Sequence, residues 1–319
     1  MKLLLTALLI FTGLASFAQK QNVYFLKNDG RYVDDRDSAD YIRIVREPDS
    51  ASTLYNVFEY YPNGKLKSQG KSSWIDPPKY EGSCATFYAN GKKKGILNFT
   101  NNRRVGLQYD YYPNGQLYDV KDYAPHILYY DIDDKFKFSE EYDSLGTQRI
   151  KEGNGYHVEY DSHFKQIVDE GPVKNGKPDG NWKGFDKDVK VKFVETYRND
   201  SLVNGISVGE QGDTVKYTAR EVKPHYKSGD QDFIKYLSKK IYYPDYERAN
   251  NIQGVVMLQF IVEKNGKISN VKVTRHVSEN LDKEAMSVIQ NCKDWVPGTQ
   301  YGRYARAYFT IPINFSLGN

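Results

Sequence analysis

The feature that most limits the fold is a turn that the chain writes again and again. Tyr60-Tyr61-Pro62-Asn63-Gly64-Lys65-Leu66 is followed by Phe87-Tyr88-Ala89-Asn90-Gly91-Lys92-Lys93, then Tyr111-Tyr112-Pro113-Asn114-Gly115-Gln116-Leu117, then Glu141-Tyr142-Asp143-Ser144-Leu145-Gly146-Thr147. Aligned on glycine, the spacings are 27, 24 and 31 residues. Asn175-Gly176-Lys177, leading into Gly180-Asn181-Trp182, continues the series, and Asn204-Gly205-Ile206 closes it. In each unit aromatic residues end a strand, Asn-Gly takes the positive φ values of a tight hairpin turn, and a polar strand returns. A lone hairpin is marginal in water, so successive hairpins must pair into a continuous sheet. The 28 Tyr against 3 Met agree with abundant half-exposed strand. The Tyr stripe reads as the packing face of that sheet, its other use being an extended surface for peptide, sugar or lipid headgroups. Lys92-Lys93-Lys94 and Arg103-Arg104 read as solvated charge beside turns.

The start of the chain bears on location. Lys2, an apolar run from Leu3 to Leu14, and Ser16-Phe17-Ala18 before Gln19 read as a signal peptide cleaved after Ala18. A membrane anchor needs about twenty apolar residues, more than precede Gln19, and no Cys ends the run to accept lipid. With 45 basic against 41 acidic residues, the net charge of +4 implies no nucleic acid. Cys84 and Cys292 fall in regions assigned to different domains and read as free, buried thiols.

The last ninety residues follow other rules. Pro224 opens a linker-like stretch ending in Lys227-Ser228-Gly229-Asp230, after which Phe233, Ile234, Leu237 and Ile241 recur at helical spacing until Pro244. Val255 to Val262 is an almost wholly apolar strand, hence central in its sheet. Asn265-Gly266 turns it into a strand from Ile268 to Arg275, and Leu281 to Cys292 reads as a second helix. Tyr304 to Phe315 alternates strictly, with Ala305, Ala307, Phe309, Ile311, Ile313 and Phe315 facing the core. The helix before it returns the chain to the same end, so this last strand pairs antiparallel with the first and the sheet order is 2-1-3. Pro312 agrees with an edge position, where its missing donor faces solvent. The open edge then falls to the backbone of Tyr304, Arg306, Tyr308, Thr310 and Asn314.

Two resemblances follow. The aromatic, Pro-Asn-Gly or Asn-Gly turn and later Gly180-Asn181-Trp182 resemble MORN-like repeats of exported bacterial proteins, over about residues 55 to 208. Tyr243-Pro244, Gln253-Gly254-Val255-Val256, Phe260-Ile261-Val262, Asn265-Gly266-Lys267-Ile268, Val271, Leu281-Asp282, Ala285, Trp295-Val296-Pro297-Gly298 and Ile311-Pro312-Ile313-Asn314-Phe315 are similar to the TonB carboxy-terminal domain, over about residues 229 to 316. The second resemblance implies a periplasmic domain that takes an extended segment of an outer-membrane transporter as an added strand. Tyr304 to Phe315 would be the contact strand, and the same edge would allow a homodimer. A TonB energy transducer also keeps an amino-terminal membrane helix with a His and a Pro-rich spacer. Here no His precedes His126, and a repeat sheet stands where the spacer would be.

No chemistry competes with this reading. His126, His157, His163, His225 and His276 form no metal-type spacing, and Asp131-Ile132-Asp133-Asp134 lacks the Gly and Glu of an EF-hand loop. No nucleophile elbow, phosphate loop or dinucleotide fingerprint occurs. The expectation is a non-enzymatic protein without cofactor, divided into a signal peptide (1–18), an amino-terminal segment (19–54), MORN-like β-hairpin repeats (55–208), a linker (209–228) and a TonB-like α+β domain with two helices (229–319). It would bind an outer-membrane transporter or another envelope protein in the periplasm. The competing readings are a membrane-anchored TonB-type transducer and a structural or carbohydrate-binding envelope repeat protein.

Overall fold

The computed structural model describes residues 20–125 and 135–317. Residues 1–18, read as a signal peptide, His126 and the acidic run from Asp131 to Asp134 lie outside the described residues. The chain divides into two compact units, residues 1–155 and 156–319.

The first unit is an antiparallel meander. Gln21–Leu26, Tyr41–Arg46, Tyr55–Tyr60, Leu66–Ser72, Tyr80–Phe87, Lys93–Thr100, Gly106–Tyr111, Leu117–Tyr123, Phe136–Tyr142 and Gln148–Lys151 pair each with the next. The amino-terminal segment is thus part of the same sheet, since Ile42 lies opposite Tyr60 and Val45 opposite Val57.

The repeated motif makes a different turn from the one its Asn-Gly predicts. Gly64, Gly91, Gly115 and Gly146 have positive φ (80°, 91°, 91°, 88°), whereas Asn63, Asn90 and Asn114 do not. In each turn the glycine N–H donates to the aromatic or Asp carbonyl three residues back, and the register slips where the strands leave it. This is a longer loop closed by a left-handed glycine bulge, not a two-residue turn. The reason lies in the asparagine. Its side chain accepts from the backbone N–H two residues on (Lys65, 3.0 Å; Lys92, 2.9 Å; Gln116, 2.9 Å), which holds it on the ordinary side of φ space. The two-residue turn is found at Asn175-Gly176 (φ 53° and 79°), where Lys174 lies opposite Lys177.

The motif turns also bond to one another. Tyr61 Oη donates to Phe87 O (2.8 Å), Tyr88 Oη to Tyr111 O (2.6 Å) and Tyr112 Oη to Tyr142 O (2.9 Å). Asn63, Asn90 and Asn114 amides donate to Ala89 O (3.3 Å), Pro113 O (3.0 Å) and Ser144 O (3.0 Å). Each turn therefore caps carbonyls of its successor, and the tyrosines serve the turns with their hydroxyls as well as the sheet with their rings. A further regularity precedes the turn: Glu59, Asp110 and Glu141 stand five residues before the glycine. Glu59, nearly buried, accepts from Arg43 (3.0 Å), Lys67 (2.8 Å) and Ser68 (3.0 Å). Burial pushes its pKa up, but the Lys67 and Arg43 cations win and hold it below the usual range.

In the second unit, Ile167–Lys174, Gly180–Asp186, Val191–Arg198, Ser201–Val208 and Thr214–Tyr217 continue as antiparallel neighbours. Here glycines face rings across the strands. A Cβ on Gly171 would lie 2.2 Å from the Trp182 ring, one on Gly184 2.4 Å from Phe193, and one on Gly205 2.4 Å from Tyr217. Trp182 is held in place by its Nε1–H donating to Pro172 O (2.9 Å). The stretch 209–228, read as a linker, carries three short paired segments: Thr214–Tyr217 joins Ser201–Val208, Glu221–Val222 pairs with Gly298–Gln300, and His225–Tyr226 with Trp295–Val296.

The unit ends in an α+β region whose three-stranded sheet has the order Ile268–Arg275, Gly254–Val262, Ala307–Phe315, all antiparallel. Helices span Asp230–Lys240, Asp245–Ala249 and Glu279–Gln290, one more than the two expected, because Pro244 ends the first and then serves as the N-cap of a short second. Val256, Leu258, Phe260 and Val262 of the central strand pack with Leu281, Ala285 and Ile289 of the last helix and with Ile311, Ile313 and Phe315. Cys84 and Cys292 are buried and unpaired, and burial pushes the Cys84 thiol up to about 11.

Candidate strand-addition edge

The terminal sheet is built outward from its apolar centre. Gly254–Val262 lies opposite Ala307–Phe315 in nine consecutive pairs, from Gly254 and Phe315 to Val262 and Ala307, without a slip. Its other side is taken by Ile268–Arg275. The last helix covers the buried face. Ser278 caps it, accepting from Leu281 N (3.3 Å), and the buried Glu247 carboxylate receives Ser278 Oγ (2.9 Å) and Asn280 Nδ2 (3.0 Å). Ala307–Phe315 is left with one neighbour, so among the described residues its outer side has no strand partner.

Hydrogen-bonding direction alternates along such a strand, and Pro312, which has no N–H, marks the outward set without loss. Tyr308, Thr310 and Asn314 share its parity and are exposed, Tyr308 at 65%. The expected single strand from Tyr304 to Phe315 is interrupted at Arg306. Arg303–Ala305 pairs with Gly298–Gln300, and Ala307–Phe315 with the central strand. The reason is a change of partner: the central strand ends at Val262, and the short hairpin takes up the pairing beyond it. Tyr304 belongs to that hairpin and is 61% exposed. Arg306 sits at the switch, its Nε donating to Glu263 Oε1 (3.1 Å), while Ser269 Oγ donates to the same oxygen (2.5 Å). The Ser269 bond first, and then the Arg306 cation, hold the Glu263 carboxyl below its usual range.

What positions this hairpin escaped the sequence reading. Tyr301 and Gly302 make its two-residue turn at φ 51° and 75°, and the Tyr301 ring stacks on Phe193 (5.0 Å) and meets Tyr217 edge-on (6.0 Å). Tyr301 N–H donates to Arg220 O (2.7 Å), and its carbonyl accepts Ser207 Oγ (2.8 Å). Arg303 donates to Ser207 Oγ (3.1 Å) and Asp213 O (2.7 Å) and pairs with the Asp213 carboxylate, whose pKa that hydrogen bond lowers. Beneath lies Glu195, fully buried, which accepts from Tyr217 Oη (2.7 Å), Tyr197 Oη (3.0 Å) and both sides of the Arg220 guanidinium. Arg220 also donates to Asp169 Oδ2 (3.1 Å), while Asp169 Oδ1 is buried without a partner. Burial opposes the Arg220 cation, yet the Glu195 bond and the Asp169 charge keep its pKa above the ordinary value. Burial outweighs Arg220 at Asp169 and pushes its carboxyl up to about 6. Gly302 was the only local trace of this anchor in the sequence, since its partners lie about ninety residues away.

Among the described residues no three His, Cys, Asp or Glu side chains are placed to hold a metal. His276 pairs with Asp282 (2.7 Å) on the surface, and His157 packs against Trp182 (5.6 Å).

The small sheet has two outer strands, Ile268–Arg275 and Ala307–Phe315, each with one neighbour among the described residues, and such an edge can offer backbone to an extended segment. Within this chain, residues 239–317, about a quarter of its length, match the family model of the Gram-negative bacterial TonB protein C-terminal domain. That family is one of non-enzymatic protein-interaction domains. Among solved structures, the solution structure of the Helicobacter pylori TonB C-terminal domain is similar at 21% identity, covering 28% of this chain and 80% of that one, with a TM-score of 0.23. No curated protein matches. Among the described residues no helix is long and apolar enough to cross a membrane.

Proposed function

We propose that this is a periplasmic or envelope protein whose terminal domain takes an extended peptide of an outer-membrane transporter as a fourth strand on Ala307–Phe315. The observation that carries this is the unpaired outer side of that strand, with Pro312 in its outward set. Tyr308, Thr310 and Asn314 would supply the pairing backbone of that strand. The family match of residues 239–317 supports the kind of partner, because domains of that family bind outer-membrane transporters. In this reading the MORN-like hairpins act as a scaffold, and a leader of residues 1–18 is removed on export.

Tyr308 is the position to test, since its N–H belongs to the outward set and proline there costs no bond of the native sheet. The full chain would be titrated with fluorescent 16-residue peptides tiling the amino-terminal periplasmic segments of the outer-membrane transporters of the same cell. Tyr308→Pro is expected to weaken the best binder roughly tenfold or more while the melting temperature holds. Equal binding by the variant would sink the strand-addition mechanism.

A further inference from the structure

We propose that the acceptor edge does not stop at Ala307 but runs on through Arg306 to Tyr304, so that the peptide it takes pairs along both sheets and lays polar flanking residues into the hollows beside Arg306. This rests on the strand-addition reading above. Three observations carry it.

The first is that Arg303–Ala305 is also an edge strand. Its sheet has the order Glu221–Val222, Gly298–Gln300, Arg303–Ala305, so the outer side of this stretch is as unpaired, among the described residues, as that of Ala307–Phe315. The second is parity. Gln300 and Arg303 close the two-residue turn and so face each other with their backbone groups, as do Gly298 and Ala305. Tyr304 is left pointing outward, and counting by twos leads through Arg306 to Tyr308, Thr310, Pro312 and Asn314, the outward set of the larger sheet. The change of partner at Arg306 therefore occurs on the inner side alone, and the outer side presents one line of donors and acceptors.

The third observation is the space around the switch. A hollow of about 590 Å³ lies on the loops 188–191 and 209–211, with Lys264, Arg303 and Tyr304 in its wall, and a second of about 260 Å³ lies against Val222, Pro224, Thr299 and Tyr308. Both are lined by Gln300, Ala305 and Arg306. Side chains of an added strand alternate between the two faces of the sheet, and those opposite Arg306 would lie beside the residue that both hollows share. The larger wall carries both signs of charge, with Lys190 paired to Glu210 (3.5 Å) and Arg303 to Asp213, and this fits polar side chains in the flank of the peptide. The anchored Tyr301 turn holds this part of the edge in place before any peptide arrives, which lowers the ordering cost of binding.

The test uses hydrogen exchange of the full chain, with and without the tightest of the 16-residue transporter peptides, together with the Tyr304→Pro variant. Saturating peptide is expected to slow exchange in 303–306 together with 308–314, and Tyr304→Pro to weaken binding about threefold to tenfold with an unchanged melting temperature. Protection of 308–314 alone, with Tyr304→Pro binding normally, would overturn the extension and leave the shorter edge standing. Protection of neither segment, or no binding by any peptide, would overturn both readings. Protection that grows with protein concentration without peptide would instead identify a second copy of the chain as the occupant, against this proposal.

Discussion

The two oxygens of the Asp169 carboxylate meet different surroundings. One carboxylate oxygen meets Arg220 and the other is buried without a partner, and burial dominates, lifting the pKa above the usual carboxylate range to about 6. A carboxyl whose folded pKa lies above its unfolded one binds more protons in the folded state between the two values. Its ionisation therefore costs stability at pH 7, and that cost is relieved as pH falls through 6 toward 4. That rise corresponds to roughly 3 kcal/mol at most. Asp169→Asn is accordingly expected to stabilise the protein at pH 7. Relative to the variant, the natural chain should gain roughly 2–3 kcal/mol in urea denaturation between pH 7 and pH 4. A difference that stays flat with pH would show that the carboxyl is not shifted. None of this was legible locally, because Arg220 stands 51 residues from Asp169 in sequence.

At the scale of the element, the repeated turn is a unit of bonding as well as of shape. The sequence predicted hairpins at the right places where aromatic, Asn and Gly recur together, but not at Asn204-Gly205, which lies inside the strand Ser201–Val208 opposite Thr196 and Glu195, because the turn before it is made by Asn199 and Asp200. It missed the turn type, since an asparagine that bonds its own loop leaves only the glycine at positive φ. It also missed why Asn and Tyr recur: each bonds the following turn, across 23 residues at Asn90 and Tyr88. Asn90→Ala removes one bond within its turn and one to the next, and is expected to cost about 1–2 kcal/mol; Tyr88→Phe removes one, costing about 1 kcal/mol. Urea denaturation of each variant measures these, and losses within error of zero would mean that water replaces the ladder at no cost. The acids five residues before the glycine were visible in the sequence but carry meaning only with their cations, which come from other strands.

Within residues 156–319, the whole unit is held by contacts that join hairpin strands to the terminal α+β region. Tyr301 closes the hairpin between Gly298 and Ala305 and stacks on Phe193 of the sheet, while Arg220 and Arg303 add charged bonds on either side. Removing a buried aromatic costs roughly 3 kcal/mol. Tyr301→Ala is expected to raise hydrogen exchange in Thr214–Tyr217 and Glu221–Val222 while Gly254–Val262 keeps its protection, because that strand packs in a core of its own. If Gly254–Val262 loosened equally, the two parts would be one cooperative block.

The sequence by itself determined the local periods: where hairpins turn, which strand is wholly apolar and therefore central, and that Pro312 belongs at an edge. From those follow the sheet order and the parity of Tyr304, Arg306, Tyr308, Thr310 and Asn314, since period and chain reversal are properties of neighbouring residues. Only the tertiary structure decided that the stretch 209–228 carries paired segments, that the last strand changes partner at Arg306, and that Tyr301 is an anchor. These depend on groups far apart in the chain, such as Arg303 and Asp213 or Gly171 and Trp182, whose approach is set by packing and leaves no periodic trace.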